Sequence, residues 1–169
     1  HARNWDAVAD RLVKDFHVVA PDLRGHGDSA WAVGSTYSMA EYVLDLTQLL
    51  GHIGKTPVTL LGHSLGGAVV LHYAGIFPDT VTKLVAIEGL GPPPNVTDDN
   101  PVEKRMTTWI EEMQGMASRS PRQYDSLAEA AGRMQVANPH LSKEMAEHLT
   151  VHGTMRTENG TYVWKFDNY

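Results

Sequence analysis

The stretch Val58-Thr59-Leu60-Leu61-Gly62-His63-Ser64-Leu65-Gly66-Gly67 decides how the chain reads. Val58 to Leu61 is a short apolar run of β type. From Leu65 to Phe77 the residues are apolar nearly all round a helix, until Pro78 stops it. Gly62 to Gly66 reads G-x-S-x-G and stands where that strand meets that helix. The string alone is weak, but a strand, a sharp turn and a helix around it form a specific context. Such a turn lifts a serine hydroxyl above the sheet into solvent, and the flanking glycines let the backbone bend without Cβ clashes. The helix N-terminus behind Ser64 supplies a positive field where an oxyanion would form, with the Leu65 N–H placed to donate to it.

Val58 to Phe77 holds no Asp, Glu, Lys or Arg. A run of about 20 such residues is long enough to cross a bilayer. It also contains Thr59, His63, Ser64, His72 and four glycines, and its pattern changes midway from β-rich to helix-like. A buried strand, a tight turn and a buried helix account for it better than a membrane span.

Working outward, Ser38 to Glu41 reads S-x-x-E, a capping box that starts a helix with an apolar stripe of Tyr42, Leu46, Leu49, Leu50 and Ile53. Gly51 and Gly54 mark its end. Near the start, Asn4 is placed to cap a helix carrying Trp5, Val8, Ala9, Leu12 and Val13 on one face. Phe16 to Ala20 predicts a strand ended by Pro21, and Asp22 to Ser29 a polar loop punctuated by glycine. Leu84 to Ile87 predicts another strand. Strands alternating with helices in this rhythm imply a parallel sheet with crossover helices, covered on both faces.

The pattern changes after Gly91-Pro92-Pro93-Pro94. Val102, Met106, Trp109, Ile110 and Met113 predict one amphipathic helix, most simply packed in a core. Tyr124, Leu127, Ala128 and Ala131 predict a second. Met145 and Leu149 predict a third, with Ser142 as its cap and Gly153 after it. Asn159-Gly160 between Thr154–Thr157 and Tyr162–Phe166 is a hairpin signal. The segment reads as a helical insertion stacked on the sheet.

Composition narrows the function classes. The chain has 169 residues, 14 basic and 20 acidic, for a net charge of −6. The acidic balance and the lack of a basic run give no footprint for nucleic acid or for an anionic membrane surface. Cysteine is absent, which excludes disulfides, thiol catalysis and Cys-ligated zinc. It also fits a reducing, cytoplasmic setting. The sequons at Asn95 and Asn159 would matter only in a secreted protein. Gly54-Lys55-Thr56 lacks the first glycine of a P-loop and precedes a strand, so phosphate binding is rejected.

Two motifs in order carry a resemblance that covers essentially the whole chain. Pro21 to Ser29 resembles the loop after the fourth strand of the α/β-hydrolase superfamily, and Gly62 to Gly67 resembles its nucleophile elbow. Leu84 to Gly91 resembles the sixth strand. The resemblance implies an α/β fold, a parallel sheet with helices on both faces, plus a helical cap insertion. Residues 1–91 would be a partial core, 92–160 the cap, and 161–169 the return toward the core.

Carried over residue by residue, Ser64 matches the family's nucleophile and Leu65 its oxyanion N–H. Asp22 and Arg24 match loop-bracing positions, with a catalytic part for Asp22 or His26 the lesser reading. Relatives that open epoxides or remove halide use Asp at the elbow, so Ser64 implies an acyl-enzyme route on carboxylic esters or related acyl compounds. C–C bond hydrolysis and a non-catalytic, hydrolase-like binding protein are the alternatives. Glu88, after the sixth strand, is the candidate acid. His63 and Trp109 are candidates to line the pocket. His140, His148 and His152 read as solvated cap residues. His148 and His152 lack the Glu of H-E-x-x-H, so no metal is expected. No cofactor is implied, and the partner is a small acyl substrate. Family order places the usual acid and the catalytic His after residue 169, and the second oxyanion N–H before residue 1. The chain is expected to be an internal piece of such a hydrolase, truncated at both ends, because folds of this kind commonly run to about 200–250 residues.

Overall fold

The computed structural model describes residues 1–34, 36–91, 100–117 and 120–167. Pro92-Pro93-Pro94 and the Asn95 sequon lie outside them. In chain order the elements are α1 (Asp6–Leu12), α2 (Met39–Ile53), β1 (Val58–His63), α3 (Leu65–Ile76), β2 (Val81–Ile87), α4 (Val102–Ala117), α5 (Leu127–Ala137), α6 (Lys143–Gly153), β3 (Thr154–Arg156) and β4 (Tyr162–Trp164). Two compact units result, residues 33–109 and residues 1–32 with 110–169.

In the unit 33–109, the capping box forms as its sequence predicts. Ser38 Oγ accepts from the Glu41 N–H at 3.4 Å, and Glu41 Oε2 accepts from the Ser38 N–H at 2.8 Å. The helix ends at Gly54, in the left-handed region at φ 66°. Gly51 lies inside its last turn instead of marking its end.

β1 and β2 pair in parallel, with Leu60 opposite Leu84 and His63 opposite Ile87. Parallel strands cannot be joined by a tight hairpin, and α3 is the crossover between them. Val43 and Leu50 of α2, Leu60 of β1, and Val70 and Tyr73 of α3 form one buried core. Leu46, Ile53, Val58 and Val81 pack against it. Burying one such aliphatic side chain contributes roughly 1.5–3 kcal/mol. The Tyr73 hydroxyl reaches Thr80 Oγ1 at 3.0 Å, which satisfies the polar end of a buried ring.

α3 is less buried than its apolar sequence predicts. Gly67, Val69, Val70 and Tyr73 are buried, but Ile76 is 59% exposed. Hydrophobicity all round a helix does not by itself supply a covering partner. Val85 and Ile87, which alternate away from the α3 side of β2, are likewise exposed.

In the other unit, the chain opens with a 3₁₀ turn, Ala2–Trp5, that leads into α1. Asn4 therefore lies within a turn and does not cap α1; no side chain does. Phe16 to Ala20 forms no ladder among the described residues, and Phe16 is 55% exposed. A β-type run becomes a strand only when a neighbour takes up its N–H and C=O groups. The loop that follows is built on Asp22. Its carboxylate accepts from the backbone N–H groups of Ala2 and Asp28, and its carbonyl accepts from the Ser29 hydroxyl.

Ser126 and Ser142 cap α5 and α6 by accepting from Glu129 N–H and Met145 N–H. Hydrogen bonds from its own backbone N–H and from Ser142 hold the exposed Glu144 carboxyl below its usual pKa. Tyr124 precedes α5 instead of belonging to it, and exchanges backbone hydrogen bonds with Tyr162. β3 and β4 form the antiparallel hairpin around Asn159-Gly160, with Gly160 at φ 87°.

α4 begins in one unit and ends in the other. Its helical spacing is as predicted, but its apolar stripe is not core. Val102, Met106, Trp109 and Ile110 are 60%, 49%, 53% and 45% exposed. The spacing specifies a face and says nothing of what covers it.

Removing the α2 cap tests the first unit. Ser38→Ala should lower stability by about 1 kcal/mol, read as a shift in the urea midpoint at constant slope.

Candidate active site

Ser64 stands at the end of β1 with φ 51° and ψ −118°, one of two non-glycine residues at positive φ among those described. A side chain held there costs about 1–3 kcal/mol and persists only where its surroundings fix it. They do so through the backbone. The Ser64 N–H donates to the Ile87 carbonyl at 2.9 Å, which ties the turn to the end of β2. The Ser64 carbonyl accepts from the Ala68 N–H at 3.0 Å, inside the first turn of α3. Ser64 itself is exposed.

Close packing explains two glycines. A Cβ on Gly62 would lie 2.3 Å from the Gly66 carbonyl oxygen. One on Gly89 would lie 2.4 Å from the Ser64 carbonyl oxygen, at a φ of 84°. Gly66, the last glycine of G-x-S-x-G, meets nothing within 4 Å, so close approach does not require it.

Leu65 is the first residue of α3. The N–H groups of a helix's first turn have no intrahelical acceptor, and their dipoles sum to a partial positive charge. An oxygen anion developing on an acyl group at Ser64 would meet that end of the helix.

His63 and Glu88 close the ends of the two strands. His63 Nε2 and Glu88 Oε2 are 3.6 Å apart, with side chains 56% and 75% exposed. Glu88 is the second non-glycine residue at positive φ, at 60°. The sequence singled out each residue but missed their pairing. The usable signal was register: two parallel strands ending side by side place the residues at their ends together. Trp109 is carried by α4, its ring half exposed. The contacts that shape the turn come from β1, α3, β2 and Gly89.

The other candidates fall into structural positions. A Cβ on Gly27 would collide with the Asp22 carboxylate, and His26 Nδ1 lies 3.0 Å from the Arg24 carbonyl, so both side chains serve the loop. His148 and His152 are not solvated as expected. His148 Nε2 lies 2.9 Å from Asp6 Oδ2, and the two imidazoles meet edge to face at 4.8 Å. Among the described residues no cluster of three or more His, Asp or Glu could hold a metal ion. No helix among them is long and apolar enough to cross a membrane.

A family model described as the alpha/beta hydrolase fold matches residues 1–168. Lipase LipV of Mycobacterium tuberculosis is 33% identical over 173 residues, covering 98% of this chain and 58% of that protein. Human serine hydrolase-like protein 2 is 30% identical over 165 residues, covering 95% and 52%. The solved structure of the M. tuberculosis esterase Rv0045c superposes with a TM-score of 0.77 at 26% identity, over 99% of this chain and 55% of that one. The chain thus spans a little over half the length of these relatives.

The two kinds of glycine should behave oppositely. Gly62→Ala and Gly89→Ala force a methyl group onto backbone and should each destabilise by more than about 2 kcal/mol. Gly66→Ala, inside a helix and facing open space, should be neutral or stabilise by up to about 1 kcal/mol. Urea denaturation of the three variants measures this; equal losses at Gly62 and Gly66 would refute the steric account.

Proposed function

Because the chain belongs to the α/β-hydrolase family, we propose that it serves a serine hydrolase acting on carboxylic esters or related acyl compounds. One observation carries the proposal: an exposed serine held at positive φ at the junction of β1 and α3, backed by a helix N-terminus. The relatives named above as a lipase, an esterase and a serine hydrolase-like protein support it.

Ser64 Oγ attacks the acyl carbon as a general base takes its proton, and that proton passes to the departing alcohol, leaving an acyl-enzyme. Water then attacks the acyl carbon, its proton returning through the base to Ser64 as the acid is released. The Leu65 N–H donates to the oxyanion of each tetrahedral intermediate. Its own dipole and that of α3 are already oriented, so little reorganisation accompanies charge development. Of the two roles the sequence leaves Glu88, triad acid or rim of the site, the rim is taken here, and His63 and Trp109 are candidate pocket walls. The general base of this chemistry, a histidine in the family, is assigned to no residue described. Residues 92–160 are read as a cap that selects the substrate. No metal or cofactor enters the scheme.

A fluorophosphonate probe tests the nucleophile directly. In a protein that holds this chain together with the general base, Ser64 should take covalent label, located by peptide mass spectrometry, and Ser64→Ala should lose it. Labelling should be unchanged in excess chelator. If that protein stays unlabelled while a control esterase reacts, Ser64 is not a nucleophile.

A further inference from the structure

Glu88 is an uncommon place to keep a side chain. Its φ of 60° is one that a residue with a Cβ adopts at a cost, and the next residue, Gly89, shows the backbone that costs nothing. The side chain is 75% exposed, so packing does not account for it. An outlier of this kind points toward function. Its surroundings say which. The residues on both sides of Glu88 are fixed against the elbow, since the Ile87 carbonyl accepts from the Ser64 N–H and Gly89 abuts the Ser64 carbonyl. The backbone of Glu88 is therefore fixed beside Ser64, and its carboxylate lies 3.6 Å from the His63 imidazole.

We propose that Glu88, steadied by His63, selects acyl substrates by charge, admitting those that are neutral or cationic near the reacting carbonyl and rejecting those that carry a carboxylate there. The proposal rests on the reading of Ser64 as nucleophile. Like charges a few ångströms apart repel even at a solvated surface, by enough to change a rate roughly fivefold. A merely structural Glu88 would not discriminate in this way. Nor would a carboxylate that acted only on a catalytic histidine, because its loss would slow every substrate alike. Screening supplies a second signature. The Debye length falls from about 10 Å at 0.1 M salt to about 3 Å at 1 M, so charge selection should fade with salt while packing effects should not.

The test uses a protein that holds this chain together with the general base, and two fluorophosphonates of equal length, one with a neutral alkyl end and one with a carboxylate near the phosphorus. In low salt the wild-type protein should react faster with the neutral probe by roughly fivefold. That ratio should approach unity in Glu88→Gln, and in the wild-type protein at about 1 M salt. The salt arm needs no variant, so the outcome does not depend on how well Glu88→Gln folds. A ratio unchanged by both the substitution and salt overturns the selector. So does an equal slowing of both probes in Glu88→Gln, which would make Glu88 an acid or a support. Failure of the neutral probe to label the wild-type protein at all, beside a reacting control esterase, overturns the Ser64 reading itself and selection with it.

Discussion

A single backbone hydrogen bond, from the Ser64 N–H to the Ile87 carbonyl, fixes the position on which the site depends. It joins the last turn of one strand to the end of its parallel neighbour. Without it, the positive φ of Ser64 would have no restraint on its N-terminal side, and the residue would relax toward an ordinary conformation. The bond in turn depends on register. His63 must lie opposite Ile87, and the core beneath, from Val43 to Tyr73, holds that register by burying one face of β1. The line of dependence runs from a capping box at Ser38, through the packed stripe of α2 and the crossover helix α3, to a serine hydroxyl at the sheet edge.

The electrostatics of the site pull in opposite directions. The start of α3 favours negative charge at Ser64, as an oxyanion requires. Glu88, on the neighbouring strand end, opposes it, with the His63 imidazole 3.6 Å from its carboxylate. Exposure moderates both effects, since water screens charges at 56% and 75% exposed side chains.

What the sequence made legible was local. The capping box, the strand–turn–helix around Ser64 and the Asn159-Gly160 hairpin each rest on residues within a few positions of one another, and each forms as predicted. What it hid was non-local. Phe16 to Ala20 has the composition of a strand, but a ladder needs a second chain segment that composition cannot name. The stripe of α4 has helical spacing, yet spacing does not reveal that Trp109 and Met106 stay half exposed. His148 reads as a surface histidine until Asp6, far away in sequence, arrives at 2.9 Å. The pairing of His63 with Glu88 fell between these cases, visible only once the parallel register was known.

The contacts that shape the turn at Ser64 are almost all between main-chain atoms: Ile87 carbonyl to Ser64 amide, Ser64 carbonyl to Ala68 amide, Gly89 against Ser64 and Gly67 against the Glu88 carbonyl. The placement of Ser64 is therefore written in the peptide backbone and in a few absent side chains. The exposed side chains of His63 and Glu88 take no part in these contacts. Exposed positions around such a platform can change by single substitutions while the serine at its centre stays where it is.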